Sequence, residues 1–559
     1  MELLKGVSNM RRLPGILAIA AVALAGGAPT AAATPPRNLS SEWIVQFDAG
    51  LPASQQLALV RAAGGEVTRD LHLISGLGVR LTGGARARLA DADGVRAVTP
   101  NAATAPAGGG RWSTLDAADL KTSFVRSTRA DKVWTQPTAP ATGADVAVAV
   151  VDTGIAGELP EFRVSADDPT SRVVASVVTH PDATTATDRY GHGTHVAGLV
   201  AGSGDALAPT DPLYERYSGT APRADLVSVK VSDDHGNSTV EDVIAGLQFV
   251  VDHGAEYGVR VVNLSLGSTV PMSYHVDPLD AAVEAVWAHG IVVVAAAGNR
   301  GTEPDAVSYA PANDPYVITV GAVDDDATKD TTDDRVTSWS SRGRTQDGHA
   351  KPDLVAPGAH IVAPLAPDSH FKRLCETCVV DDRYFMLSGT SMAAPIVAGI
   401  AADILSVHPE WTPDQVKGAL TFVSDASNPH GDRIDANMRE TADGGWEVAA
   451  DKAVDATRRE LTANSGLTPS ALLNPESGVE DPAFASWGRA SWRTAADGLR
   501  ASWRADSWSC ECVGETEIGL ARASWRRASW RAFFGESPAT YGELGGGNRG
   551  ARRPNRGGR

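Results

Sequence analysis

The chain has 559 residues, 43% of them hydrophobic, and a formal net charge of −18. That length allows about two to four domains and a large apolar core. The acidic balance argues against nucleic acid as the main partner, and only four cysteines (Cys375, Cys378, Cys510 and Cys512) exclude a disulfide-built scaffold.

In chain order, residues 1–33 read as an export signal. Lys5, Arg11 and Arg12 precede an apolar run from Leu13 to Leu24, and Ala31-Ala32-Ala33 offers a small-residue cleavage site. A membrane anchor is the rival reading, but the run falls short of the ~20 residues a bilayer span requires. No later stretch reads as long and apolar enough to cross a membrane. After a Pro-rich linker, residues 41–101 read as a small domain: a strand at Trp43–Phe47, a helix at Ala53–Ala63, strands at Glu66–Leu71 and Gly76–Leu81, a helix at Ala85–Ala92 and a strand at Val95–Val98. That β-α-β-β-α-β order is ferredoxin-like. The Ala-, Gly- and Thr-rich stretch 102–129 reads as a linker.

Asp145–Val151 is a short, continuous apolar run, as expected of a strand buried on both faces, and it ends in Asp152-Thr153-Gly154. Similar runs follow at Leu226–Val231, Val259–Leu264, Ile291–Ala296 and Val317–Val320, with helical patterns such as Val240–Val251 and Leu279–His289 between them. The alternation predicts an α/β fold, one parallel sheet with helices on both faces. Ligands bind beyond the carboxyl ends of such strands, where Asp152 and Asn299 fall.

Three stretches carry chemistry. Asp152 closes a strand, His192 lies in the Gly-rich turn Gly191-His192-Gly193-Thr194-His195, and Ser391 lies in Gly389-Thr390-Ser391-Met392-Ala393-Ala394-Pro395, at the start of a helix of small apolar residues. A serine hydroxyl is a weak nucleophile near neutral pH. An imidazole must take its proton, and a carboxylate must orient that imidazole.

With these motifs in that order, the chain resembles the subtilisin-like serine proteases over residues 130–457. The resemblance implies a subtilisin-like domain with Asp152, His192 and Ser391 as the catalytic set. It makes Asn299, in Ala295-Ala296-Ala297-Gly298-Asn299, the oxyanion donor. It places substrate along Ser265, Leu266 and Gly267, with Ala296, Ala297 and Gly298 as the opposite wall. It makes His195 a packed structural residue, and residues 34–101 an inhibitory, fold-assisting α+β prosegment that the new active site cuts off within 99–130. Arg300 is read as favouring an acidic residue before the scissile bond, against the rival reading of a solvated or internally paired arginine. The chemistry implies no cofactor and no catalytic metal; structural calcium is common in the family, but no ligand loop stands out, and Glu161, Asp167 and Asp168 read as solvated surface. The implied partners are protein and peptide substrates and the chain's own prosegment, and the implied location is extracellular.

Cys375 and Cys378 suit a tight local disulfide. Residues 458–559 read as a low-complexity tail in which Ser-Trp pairs end at Trp487, Trp492, Trp503, Trp508, Trp525 and Trp530, often followed by arginine. Tryptophan with arginine suits an interface such as a cell envelope. Two rival functions remain, a catalytically silent envelope-binding protein and an esterase with the same three side chains. An esterase would show a Gly-x-Ser-x-Gly elbow and the order Ser, Asp, His; Gly389–Ala393 and the chain order here disagree.

Overall fold

Strands that are apolar along their whole length need cover on both faces, and the computed structural model shows where that cover comes from. It describes residues 41–48, 50–106, 123–136, 140–214, 216–328, 331–422, 437–456 and 463–473. The expected export signal, most of the 102–129 stretch, the Ser-Trp pairs, Cys510 and Cys512 lie outside these residues.

Among the described residues a ten-stranded sheet forms the centre of the molecule. Its parallel strands stand in the order Val173–Val178, Asp225–Lys230, Ala147–Asp152, Val259–Leu264, Val292–Ala296, Ile318–Asp324, Leu354–Pro357 and Trp446–Val448, with Met438–Glu440 antiparallel at the far edge and Arg335–Val336 antiparallel to the end of Ile318–Asp324. Every residue of Ala147–Asp152 and Val292–Ala296 is buried. The helices Thr390–Val407 and His192–Ala201 pack together on the sheet, as do Val240–His253 and Pro278–Ala288. The chain leaves Ala147–Asp152 toward one edge and returns to its other neighbour, Val259–Leu264. This is the reversal of strand order at which α/β sheets open a crevice. Asp152 stands at its mouth.

The helix Thr390–Val407 corrects one expectation. Its mean hydropathy of 1.6 over 18 residues is long and apolar enough for a bilayer, but 89% of that window is buried inside the protein. Core burial accounts for its composition.

Residues 42–100 form a four-stranded antiparallel sheet in the order Glu66–Leu71, Gly76–Arg80, Glu42–Phe47, Val95–Pro100, with helices at Ala53–Ala62 and Gly83–Ala90. This is the expected β-α-β-β-α-β plan. Val45, Phe47, Val60, Val79 and Leu89 make its own core, whereas Ile44, Leu71, Leu73 and Ile74 join the main core. Polar contacts reinforce that joint. Arg69 pairs with Glu241 and Asp242 at 3.2 Å each, the Leu73 N–H donates to Gln248 Oε1 at 3.1 Å, and Asn101 Nδ2 donates to Glu42 and Glu241 at 3.1 and 3.2 Å.

Two segments differ from the sequence reading. Ala103–Pro106, expected to be linker, is a strand. Residues 463–473, expected to be tail, are docked: Leu472 and Leu473 enter the core, Asn464 Nδ2 donates to the Tyr316 carbonyl at 3.0 Å, and the Ser470 N–H donates to Glu284 at 2.7 Å. Cys375 and Cys378 form a disulfide. Closing so short a loop removes little chain entropy.

Candidate active site

The imidazole is positioned by its own turn. Asp188 is buried and accepts from the Thr153 hydroxyl (3.0 Å), the Gly191 N–H (2.7 Å) and the Thr194 N–H and hydroxyl (2.8 Å each). It thus caps the positive end of the His192–Ala201 helix and ties that end to the residue after Asp152. Gly193 lets the two segments meet, since a Cβ there would lie 2.2 Å from the Gly154 carbonyl. His192 consequently stands with Nδ1 2.7 and 2.9 Å from the two oxygens of Asp152, both side chains buried. Asp152 is held in turn by the Thr153 N–H at 2.7 Å. Burial pushes the imidazole pKa down, but the charge and hydrogen bond of Asp152 and the charge of Asp188 outweigh it and leave it raised. Asp152 therefore fixes the proton on Nδ1, which leaves Nε2 as the basic nitrogen. Nε2 is buried and has no hydrogen-bond partner among the described residues.

His195, one turn on, does something else. It is fully buried, its Nε2 lies 2.9 Å from the Phe385 carbonyl, and burial holds its pKa down to about 3. It is a neutral packing residue, as expected.

Ser391 is the second residue of the Thr390–Val407 helix. Pro395, four residues on, has no N–H to give the Ser391 carbonyl. The Ser265 hydroxyl fills that gap at 2.9 Å, and Asn263 Nδ2 donates to the same hydroxyl at 2.9 Å. The Ser391 hydroxyl in turn donates to the Ser265 carbonyl at 3.1 Å. Ser265 therefore grips the nucleophile's residue at both ends.

Asn299 follows the Val292–Ala296 strand. Its Oδ1 accepts from the Thr390 N–H at 3.0 Å and the Thr390 hydroxyl at 3.2 Å, and the same hydroxyl accepts from the Gly298 N–H at 3.0 Å. Only the amide oxygen can accept these bonds, so the orientation of the amide is fixed. The Thr390 and Met392 N–H groups are engaged, by Asn299 and by the Gly389 carbonyl. The Ser391 N–H lies between them in the first turn, where no intrahelical acceptor exists.

Leu266–Ser268 pairs antiparallel with Ala103–Pro106, which pairs on its other side with Ser238–Thr239. The segment that follows the small N-terminal domain thus lies as the middle strand of three, alongside Leu266 and Gly267. Ala296 and Ala297 are buried on the facing wall, where Ala297 donates to the Val320 carbonyl at 2.9 Å.

Arg300 has partners within its own segment, as the rival reading of an internally paired arginine expects. Its guanidinium lies 4.2 Å over the Tyr309 ring and 3.7 Å from Glu303, both arginine and glutamate side chains being exposed. Glu161, read as solvated, is buried and accepts from the Tyr384 hydroxyl at 2.8 Å; Asp168 is exposed and caps its own turn through the Thr170 N–H. Among the described residues no group of three or more His, Cys, Asp or Glu side chains is placed to hold a metal ion, so structural calcium receives no ligand assignment. Sequence reasoning missed Asp188 and the hydroxyl role of Ser265. An acid three residues before a helix-opening glycine was the available signal for Asp188. Ser265 had none short of the fold.

Residues 143–438, just over half of the chain, match the model of the Subtilase family. Serine protease AprX of Bacillus subtilis (strain 168) is 40% identical over 284 residues, covering 50% of this chain and 61% of that protein. Subtilisin DY of Bacillus licheniformis is 34% identical over 295 residues, covering 52% of this chain and 87% of that protein. The solved structure of fervidolysin from Fervidobacterium pennivorans, described as a keratinolytic enzyme related to subtilisin, aligns with a TM-score of 0.54 at 24% identity, covering 76% of this chain and 62% of that one. That likeness concerns the fold. The matched stretches span less than two thirds of AprX and of fervidolysin.

Proposed function

This chain belongs to the subtilase family, and on that premise we propose that it is an exported serine endopeptidase made as a proprotein that cuts off, and is then held by, its own N-terminal segment. The observation that carries the reading is the Ala103–Pro106 strand: the cleft leading to Ser391 holds extended polypeptide, paired through its backbone on both sides. Backbone pairing of this kind gives affinity with little demand on side chains, which suits protein and peptide substrates.

Chemistry follows from the geometry. The Ser391 hydroxyl turns from the Ser265 carbonyl to His192 Nε2, which takes its proton as Oγ attacks the peptide carbonyl. Asp152 balances the imidazolium. The Asn299 amide and the Ser391 N–H stabilise the oxyanion. His192 then protonates the leaving amine, and water repeats the sequence on the acyl-enzyme. Catalysis in this family needs no cofactor. Export rests on the signal-like composition of residues 1–33.

The test is intact mass of the purified wild type beside Ser391→Ala, each treated with a fluorophosphonate that labels active serines. Loss of the N-terminal segment and a single label in the wild type, with a full-length, unlabelled variant, supports the reading. Two full-length, unlabelled proteins refute it.

A further inference from the structure

The strands Ile361–Pro364 and Tyr384–Leu387 pair antiparallel, and the chain between them makes an excursion that includes the short helix His370–Leu374. The Cys375–Cys378 disulfide lies just behind that helix. Of the helix's residues only Phe371 is buried, at 5% exposure, while Lys372, Arg373 and Leu374 are exposed. One buried ring on an otherwise solvated turn is held by whatever it meets on the inside.

What it meets is the turn that carries His192. The His370 N–H donates to the Arg189 carbonyl at 3.0 Å, and the Phe371 N–H donates to the Tyr190 carbonyl at 3.2 Å. Gly191 permits this approach: its φ of +113° suits glycine, and a Cβ there would lie 3.0 Å from Phe371 Cγ and from Ser369 Oγ. The Phe371 ring stands edge-on to Tyr190 at 5.2 Å and 60°, and perpendicular to the His192 imidazole at 6.3 Å and 90°. Both separations fall in the range over which such ring pairs attract. Phe371 also stacks on Phe385, 5.2 Å away with 24° between the planes. Phe385 belongs to the strand Tyr384–Leu387, which runs on into Ser388-Gly389-Thr390-Ser391. Its carbonyl lies 2.9 Å from His195 Nε2. Phe371 is thus wedged between the turn that carries the base and the strand that leads to the nucleophile.

Asp152 holds His192 at Nδ1, and Nε2 has no hydrogen-bond partner among the described residues. An imidazole bonded at one corner can still swing about its side-chain torsions unless packing blocks the swing. A flat ring clamped by Tyr190 and Phe385 blocks it and offers no competing hydrogen bond. The carboxylates that act on the imidazole, Asp152 and Asp188, govern its charge. Phe371 carries no charge and acts on position alone.

We propose that Phe371 is a positioning residue for His192, holding the imidazole so that Nδ1 stays on Asp152 and Nε2 stays available to Ser391. The kinetic part of the test rests on the protease reading above, and the spectroscopic part does not. In the full-length Ser391→Ala chain, the Nδ1 proton shared with Asp152 is read by low-field proton NMR and assigned by its loss in His192→Ala. A sharp resonance is expected with Phe371 in place, and a broadened or missing one in Phe371→Ala, where the ring swings and the proton exchanges with water. In the active enzyme, Phe371→Ala is expected to lower kcat on a peptide p-nitroanilide by about tenfold or more, the scale on which a displaced catalytic group slows a reaction, with KM within about threefold. Phe371→Leu keeps the space filled without the flat ring and is expected to fall between the two.

A merely structural phenylalanine would lower the unfolding temperature of Phe371→Ala and leave both the resonance and kcat per fluorophosphonate-labelled site unchanged; that result overturns the proposal. Should Phe371→Ala fail to fold, Phe371→Leu decides: a broadened resonance with kcat down about threefold supports the hold, and unchanged values overturn it. A wild type that takes no label and cleaves nothing sinks the protease reading, and the resonance in the Ser391→Ala chain then decides the hold by itself.

Discussion

Ser265→Ala is the substitution that most directly tests how the nucleophile is held. It removes one hydroxyl and leaves two buried groups unpaired, the Ser391 carbonyl and the Asn263 amide, each bonded at 2.9 Å in the native protein. Leaving a buried polar group unsatisfied costs about 1–3 kcal/mol. The two losses are adjacent and not fully additive, so a destabilisation of roughly 2–4 kcal/mol is expected. The measurement is urea unfolding in a Ser391→Ala background, which prevents self-digestion and keeps the carbonyl in question. The decisive arm is Pro395→Ala. It restores an N–H four residues along the helix, able to bond the Ser391 carbonyl as an ordinary helical donor. Ser265→Ala should therefore cost about 1 kcal/mol or more less beside Pro395→Ala than alone. A loss below about 0.5 kcal/mol, or strictly additive effects, would refute the account. In the active enzyme the same change should lower kcat more than it raises KM.

Three further outcomes are expected. A Cβ at Gly78 would lie 2.7 Å from the Glu241 carboxylate, and overpacking of about 1–3 kcal/mol predicts that Gly78→Ala weakens inhibition by added N-terminal segment about five- to hundredfold; an unchanged inhibition constant would show that the joint yields freely. His72 Nε2 lies 3.1 Å from Asp252, and although burial opposes the charge, the hydrogen bonds and charges of Asp252 and Asp70 lift its pKa from 6.5 to about 10. That contribution is complete below pH 6.5 and is lost as pH rises through about 10, so inhibition weakens across that window; the effect is trimmed by solvent because the ring is 37% exposed. Inhibition constants measured against pH should show the slope in wild type and a flatter one in His72→Gln, and equal slopes would refute the assignment. Asp403 is fully buried, neither carboxylate oxygen has a partner among the described residues, and burial raises its pKa well above 3.8. The folded state thus keeps a proton that the unfolded chain releases, and stability falls as pH rises through that window. Asp403→Asn should be the more stable protein at pH 8 and show a shallower pH dependence in thermal unfolding; equal curves would count against it.

How far the sequence spoke depended on where each residue's partners lie. Asp152, His192, Ser391 and Asn299 were legible because each sits where a strand ends or a helix begins, and small-residue and glycine patterns mark such places locally. The strand Ala103–Pro106 was not, because four residues with one strand-favouring threonine and a proline carry no alternating pattern; its partners, Leu266–Ser268 and Ser238–Thr239, come from far along the chain. Residues 463–473 misled for the same reason, being held by Tyr316, Glu284 and Asp414 rather than by any pattern of their own. Arg300 was placed correctly beside the site, but the direction of a long side chain follows from its neighbours, here Tyr309 and Glu303. The membrane-like helix at Thr390–Val407 shows the converse: composition sees how apolar a segment is, and only the fold shows what surrounds it.

The docking of the N-terminal domain has a consequence in time. A chain synthesised from its N-terminus makes residues 42–106 before the helices Val240–His253 and Pro278–Ala288 that they dock near, and those before the helix that carries Ser391. The strand destined for the cleft exists before the nucleophile does. Residues 463–473, which join the core and reach back to the N-terminal domain through the Arg96 side chain's bond to the Ala471 carbonyl at 3.0 Å, arrive last among the described residues. On the proposed reading of the N-terminal segment as an inhibitor, the order of the segments alone would have the cleft filled before its nucleophile is made.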